Sequence, residues 1–281
     1  KKQDNIRKLI FMRQNINKKI GDLEVKLLAF MQLKDSPIIK SGDMVEVLGI
    51  TQQRENNLLS NMSKKGLVVR IKKGYYVVSP KLPTGNYVRI SEYKLLYYIM
   101  QAYNTQYLVS GPTAIYYYGY TTQIPNRIYV YNSRISGDKE IGGRSFVFMK
   151  TSTKRLKAAD IITMYDGTKV PYTSRVRLLI DCIYDWNRYN TLPKVFKWIK
   201  KEIEKDPDIT EKLVSNAIRY GNKSVQCRLG YLLEKLDVNA KFVDRLQKKI
   251  TGSKSIIPLI PNTDFKGSVN KKWGLIINEQ I

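Results

Sequence analysis

The chain has 281 residues, with 49 Lys and Arg against 24 Asp and Glu, no His and 2 Cys. That length allows one large domain or two medium ones, and a net charge of +25 favours a polyanionic partner, nucleic acid ahead of a membrane surface. The absence of His excludes Ser-His-Asp and Cys-His nucleophiles, His-ligated zinc and imidazole bases, and no apolar run reaches the ~18 residues that a membrane span needs. Residues 1–20 set Ile6, Leu9, Ile10, Ile16 and Ile20 among Lys and Arg, the pattern of a basic, loosely amphipathic helical extension. Leu23, Leu27, Phe30 and Met31 predict a first helix that ends near Asp35-Ser36-Pro37. Ser41-Gly42-Asp43 opens a short helix carrying Met44, Val45, Val47 and Leu48. Gly49-Ile50-Thr51 makes a tight turn in which Gly tolerates positive φ and Thr51 caps the next helix. That third helix runs from about Gln52 to Lys65, with Leu58, Leu59 and Met62 facing inward and Gly66 ending it. Leu67–Ile71 and Tyr75–Val78 read as strands around a basic turn, Lys72-Lys73-Gly74.

Three helices followed by a basic-tipped hairpin describe a winged helix-turn-helix, and Pro80 with Pro83-Thr84-Gly85 supplies a linker behind it. Further on, Ser91–Tyr103 reads as helix, 107–109 as strand, and the stretch after Ser110-Gly111-Pro112 as a short aromatic helix through Tyr118. Strands are predicted at 127–131, 145–150, 161–165 and 169–172. A helix starts at Ser174 with Val176, Leu179, Ile180 and Ile183 on one face. From 193 the chain reads as helical, with a capping box at Asp208-Ile-Thr-Glu211 and a last strand near Trp273–Asn278. The expected fold class is therefore α+β. It comprises an N-terminal winged helix-turn-helix domain over 1–86, with 1–20 as its extension, and a C-terminal domain over 87–281. That second domain mixes strands and helices in 87–190 and is mainly helical in 191–281, ending in a helical bundle. Cys182 and Cys227 lie in apolar helical patterns without metal-ligand spacing and read as buried structural thiols of a reducing, cytoplasmic compartment.

In helix-turn-helix readers the N-terminal residues of the second motif helix meet base edges in the major groove. Here these are Gln52, Gln53, Arg54, Asn57 and, one turn on, Asn61: Arg forks onto guanine O6/N7, while Gln and Asn pair with adenine N6/N7. Lys40, Lys64, Lys65, Lys72 and Lys73 would meet phosphates and add affinity without sequence information. A protein-contact role for the same domain stays open. Catalytic signals are weak. Asp206-Pro-Asp208 reads as capping, Gly142-Gly143 as a turn, and Asp166-Gly-Thr-Lys169 and Asp264-Phe-Lys266 only faintly suggest a metal-dependent nuclease. No enzyme, cofactor or metal centre is expected. The tyrosines at 97, 98, 103, 107, 116, 117, 118 and 120 fit core and core rim, with base stacking or an interface anchor as the other readings.

Four stretches carry a family resemblance. Tyr107-Leu-Val-Ser-Gly-Pro-Thr-Ala-Ile-Tyr-Tyr-Tyr-Gly119 with Gln123-Ile-Pro-Asn-Arg127 is similar to the segment that opens the C-terminal domain of AbiEi antitoxins. Val170-Pro-Tyr-Thr-Ser-Arg-Val-Arg-Leu-Leu-Ile-Asp-Cys182 and Arg228-Leu-Gly-Tyr-Leu-Leu-Glu234 resemble two further family segments, and Gly74-Tyr-Tyr-Val77 resembles its wing. The family commonly has His where this chain has Tyr118, so that position is not needed as a ligand or base. The resemblance, spanning about 22 to 278, implies an antitoxin-regulator of an AbiE-type (type IV) toxin–antitoxin, abortive-infection module. Such a protein represses its own operon at promoter inverted repeats in double-stranded DNA and neutralises a cognate nucleotidyltransferase-like toxin, by direct contact or otherwise. It would be a monomer or weak dimer, cooperative on DNA and without a membrane partner. Arg175, Arg177, Asp181, Arg228 and Glu234 read as a core polar network, a signature of the fold, or part of an antitoxicity surface to which Arg175, Arg177 and Arg228 would belong; the fold signature is the preferred reading, since they flank the apolar helix faces. The other readings of the whole chain are a protein- or RNA-interaction module with only non-specific DNA binding, and a metal-dependent nuclease.

Overall fold

Residues 20–34, 37–78, 90–250, 255–261 and 266–280 are described by a computed structural model of the chain. The expected extension before Ile20, the 86/87 boundary with its Pro-Gly linker, Asp35-Ser36 and Asp264 lie outside the described residues. The chain is mixed α and β and falls into two units. One comprises the described residues up to Thr105 together with Lys139–Phe146 and Thr163–Thr168; the other comprises Gln106–Asp138, Val147–Ile162 and the described residues from Lys169 onward. Among the described residues no helix is long and apolar enough to cross a membrane.

In the first unit, α1 (Asp22–Leu33) leads to β1 (Ile38–Lys40), α2 (Val45–Leu48), α3 (Gln52–Lys64), β2 (Val68–Lys72), β3 (Tyr75–Val78) and α4 (Glu92–Ala102). Among the described residues, the helices predicted over 22–103 and the hairpin are present. The strand β1 was not predicted: Ile38-Ile39-Lys40 is too short to show alternation, and it exists by pairing antiparallel with β3, which places it at the edge of a three-stranded sheet in the order β1-β3-β2. Leu27 and Met31 of α1, Ile39, Met44, Leu59 and Met62 of α3, and Val78 form one buried apolar cluster. Positive φ at Gly49, Gly66 and Gly74 allows the turns before and after α3 and at the hairpin tip, where a side chain would strain the backbone. Ser91 caps α4 by accepting the Lys94 N–H at 3.2 Å.

The second unit is built from β4 (Tyr107–Val109), α5 (Gly111–Tyr117), β5 (Ile128–Asn132), β8 (Ala159–Thr163), β9 (Lys169–Thr173) and a run of helices. With β6 (Gly137–Ile141) and β7 (Arg144–Lys150) the strands make a sheet in the order β6-β7-β5-β4-β9-β8, in which β4 pairs antiparallel with β5 and parallel with β9. Helices α6 (Arg175–Tyr184), α7 (Trp186–Tyr189), α8 (Lys194–Lys205), α9 (Ile209–Tyr220), α10 (Lys223–Lys235) and α11 (Ala240–Ile250) follow. A small sheet of β10 (Ile257–Pro258), β11 (Ser268–Asn270) and β12 (Leu275–Ile277) closes the described chain. Helix α10 is buried over Val225–Leu233 with little polar face, whereas α8 and α11 each bury one apolar stripe and expose a basic one. The predicted capping box at Asp208 is not formed: Asp208 has helical backbone angles and no side-chain cap, and its N–H instead donates to Asp206 Oδ1 at 3.1 Å. Asp206 thus organises the turn by an Asx bond, which competes with the cap that the spacing suggested.

Candidate nucleic-acid interface

The start of α3 is held by a carboxylate. Glu55, Leu59 and Met62 occupy i, i+4 and i+7, so they share one helix face, and all three are buried. An acid at such a position needs partners, since a buried carboxylate without them is costly. Glu55 accepts the Gly42 N–H at 2.6 Å, the Met44 N–H at 2.9 Å and Gln52 Nε2 at 2.7 Å. It thereby closes the turn ahead of α2 onto the helix after it. Thr51 Oγ1 accepts the Arg54 N–H at 3.3 Å. Ser41 continues the weave: its N–H donates to the Gly74 carbonyl at 2.8 Å and its Oγ to Asn56 Oδ1 at 2.9 Å. Turn, helix and hairpin tip are therefore tied together at one end of the unit. The sequence signal was present, because Glu55 is the single acid on α3, but the partners 11 and 13 residues away are not a local pattern.

The residues expected to read bases all lie on the exposed side of α3: Gln52, Gln53, Arg54, Asn57 and Asn61. They differ in freedom. Gln52 Nε2 is engaged by Glu55 and by Ser41 Oγ at 3.0 Å, so its amide group supports the turn. Gln53 Nε2 and Asn57 Oδ1 lie 3.4 Å apart across one helical turn. Arg54 and Asn61 show no side-chain partner among the described residues. The expected phosphate contacts divide in the same way. Lys40, Lys64 and Lys73 are exposed. Lys65 is paired with Glu24 at 2.7 Å, which fixes the end of α3 against the start of α1. Lys72 donates to the Ala102 carbonyl at 2.5 Å, with its ammonium 4.1 Å from the Tyr75 ring centre and 4.7 Å from that of Tyr103.

Of the three arginines considered for an antitoxicity surface, two are interior, and the structure corrects that reading for them. Arg177 has no exposure: its Nε lies 3.0 Å from Asp181 Oδ1, and its terminal nitrogens donate to the carbonyls of Lys157 at 3.1 Å and Arg155 at 3.0 Å. Arg155, which sequence reasoning did not single out, binds the same Asp181 oxygen at 2.5 Å and lies 3.8 Å over the Tyr184 ring. Arg228 is buried and donates to the carbonyls of Leu259 at 2.9 Å and Pro258 at 3.0 Å, which fastens α10 to the segment of β10; burial pushes its guanidinium down to about 10. These are fold-holding contacts. Arg175 alone is half-exposed, paired with Glu202 at 3.2 Å.

Asp166 sits in the turn between β8 and β9, where it accepts from Ser91 Oγ and from the Thr168 N–H at 3.0 Å; it is a turn organiser. Among the described residues no three His, Cys, Asp or Glu side chains are grouped so as to hold a metal ion. Tyr118, where the resembled family commonly has His, places its hydroxyl 2.9 Å from Asp160 Oδ2 and 3.0 Å from the Thr173 carbonyl, and burial, followed by the hydrogen bond to Asp160 and its charge, raises its pKa.

No protein-family model matches the chain, and no curated protein matches it. Among solved structures it is similar to the crystal structure of RV2827C protein from Mycobacterium tuberculosis, with a TM-score of 0.54 and 14% identity over 93% of each chain. The likeness is one of fold.

Proposed function

We propose that the first unit is a winged helix-turn-helix that reads duplex DNA, and that the chain is a non-enzymatic, cytoplasmic antitoxin-regulator of the AbiE type. In this reading it represses its own operon by occluding promoter inverted repeats and neutralises a nucleotidyltransferase-like toxin. The observation that supports the DNA-binding part is the start of α3. Its exposed face carries Gln53, Arg54, Asn57 and Asn61, a buried carboxylate fixes its pose, and Lys40, Lys64 and Lys73 are exposed on the same unit. Polar side chains on a helix of fixed pose read base edges, and exposed ammonium groups supply sequence-independent attraction. The antitoxin part rests on the segment resemblance at 107–127, 170–182 and 228–234.

Half-sites one helical turn apart, ~34–36 Å, call for two copies on the DNA. If each neutralises about three phosphates, the log–log salt slope is about −5, a thousand-fold loss of affinity between 50 and 200 mM salt. The test is fluorescence anisotropy of the purified chain on its own upstream DNA and on a scrambled duplex at both salt concentrations. A preference for the upstream duplex that persists at 200 mM supports a sequence-reading repressor. Equal affinity for both duplexes, collapsing with salt, overturns that reading.

A further inference from the structure

A cleft of about 730 Å³ opens in the second unit beside α8, with Pro112, Tyr120, Ile124, Asn126, Lys194 and Trp198 in its lining. Its volume suits one nucleotide-sized group. Tyr120 and Trp198 are stacked in its wall, ring centres 5.2 Å apart and planes 26° from parallel. The platform is fixed from behind: Tyr120 Oη donates to Glu202 Oε1 at 3.0 Å, and that buried carboxylate is held by Arg175 at 3.2 Å. A stacking surface whose rings are already locked loses little freedom when a base settles on it.

The cleft does not end at Trp198. Lys194, Trp198, Lys201 and Lys205 follow one another at i, i+4, i+7 and i+11, so they make a single stripe along α8 about 16 Å long. The three lysines are exposed and Trp198 is half-buried, while Val195, Ile199 and Glu202 turn to the core. Of the acids on and just beyond α8, Glu202 is held by Arg175 and Tyr120 and Glu204 lies 4.0 Å from Lys200, while Asp206 is exposed beside Lys205 and accepts the Asp208 N–H at 3.1 Å. An aromatic platform continuous with a row of cations is the arrangement that binds single-stranded nucleic acid, with bases on rings and phosphates on ammonium groups.

We propose that the Tyr120–Trp198 cleft and the α8 lysine stripe form a second nucleic-acid site, which takes an unpaired strand, one base against the Tyr120–Trp198 pair and two or three phosphates along Lys194, Lys201 and Lys205. The duplex width does not enter a cleft of this size, so the ligand is a single strand. This site stands apart from α3 in its residues and does not depend on whether the first unit reads duplex DNA.

The probes are fluorescein-labelled decaadenylate and decadeoxyadenylate, titrated by anisotropy with the full chain. Trp198→Leu is expected to weaken binding about tenfold or more, as loss of a stacked base does. Lys194→Gln, Lys201→Gln and Lys205→Gln together are expected to reduce the single-strand salt slope by about 2. Lys249→Gln, an exposed position on α11, is expected to leave single-strand binding unchanged, and thermal unfolding followed by circular dichroism confirms that the variants fold. Tighter binding of the RNA decamer than the DNA decamer identifies RNA as the source of the strand; equal binding keeps the proposal with either source. Single-strand affinity unmoved by both sets of substitutions overturns it. So does full displacement of the strand by adenosine monophosphate at the strand's own concentration, which makes the cleft a free-nucleotide site.

Discussion

Arg54 and Gln52 stand two residues apart on α3 and are expected to behave differently when truncated. Arg54 has no side-chain partner among the described residues, whereas the Gln52 amide is bound to Glu55 and Ser41. Arg54→Ala should cost ~1–3 kcal/mol of affinity for the preferred duplex, relax specificity at one base pair and leave the unfolding midpoint in place. A uniform loss on every duplex would assign Arg54 to phosphate instead. Gln52→Ala should lower stability by about 1 kcal/mol, the usual net value of a hydrogen bond. Glu55→Ala should cost more, ~2–4 kcal/mol in urea melts, because it strands the Gly42 and Met44 N–H groups that the carboxylate satisfies. The thiols give a test with a pH sign. Burial pushes Cys182 well above the ordinary thiol range and raises Cys227 as well. The folded state then prefers both protonated: their contribution to stability is complete below the ordinary thiol pKa and declines as pH rises through the folded values. Ellman's reagent at neutral pH should therefore find neither thiol in the native chain and both in guanidinium; prompt native labelling would contradict their burial.

At the scale of elements, the sequence revealed what is local and hid what is paired at a distance. The Gly49 turn, the Thr51 cap and the Lys72-Lys73-Gly74 hairpin are short-range chemistry, and each appears where its residues placed it. By contrast, β1 needs β3 across 35 or more residues, and Lys65 needs Glu24 at a separation of 41. The Tyr120–Trp198 stack joins residues 78 apart, and no periodicity announces such pairs. The reading of the tyrosines as core and rim holds for Tyr98 and Tyr107, which are buried, while Tyr97, Tyr116 and Tyr117 are exposed. Helix α10 carries the sharpest packing constraint. Gly230 faces the buried Trp273, and a Cβ built there overlaps the indole six-membered ring. Trp273 is itself anchored, its Nε1 donating to Glu234 Oε2 at 2.7 Å. Helix propensity alone favours Ala over Gly by about 1 kcal/mol. The packing term opposes it: Gly230→Ala must displace a fully buried ring, and a net loss of ~1–3 kcal/mol is expected. Thermal melts decide between the two, because an unchanged or higher midpoint would mean that the Trp273 segment yields.

For the whole molecule the question is where a charge of +25 acts. Residues 1–86 carry 17 basic and 7 acidic side chains, and the remaining 195 carry 32 and 17, so the excess is shared. Bulk charge therefore predicts attraction to any polyanion and cannot distinguish a reader from a sticky surface. Individual engagement can. On the first unit Lys40, Lys64 and Lys73 are exposed, whereas the ammonium of Lys65 is neutralised by Glu24 and that of Lys72 is turned to Ala102 and two tyrosine rings. Under the proposed DNA-binding reading, alanine at Lys40, Lys64 or Lys73 should each reduce the duplex salt slope by up to about 0.9 per protein copy, with weakening that is the same for every sequence. Alanine at Lys65 or Lys72 should move the slope little and lower stability instead, since each loss breaks a contact within the protein. Five single variants, each measured on one duplex at four salt concentrations, make the comparison. If all five change the slope alike, charge density alone governs binding and the end of α3 has no privileged role. If the two sets separate, the ammonium groups left free by the fold are the ones that meet DNA, and the engaged ones serve to hold α3 and the hairpin in the pose that lets them do so.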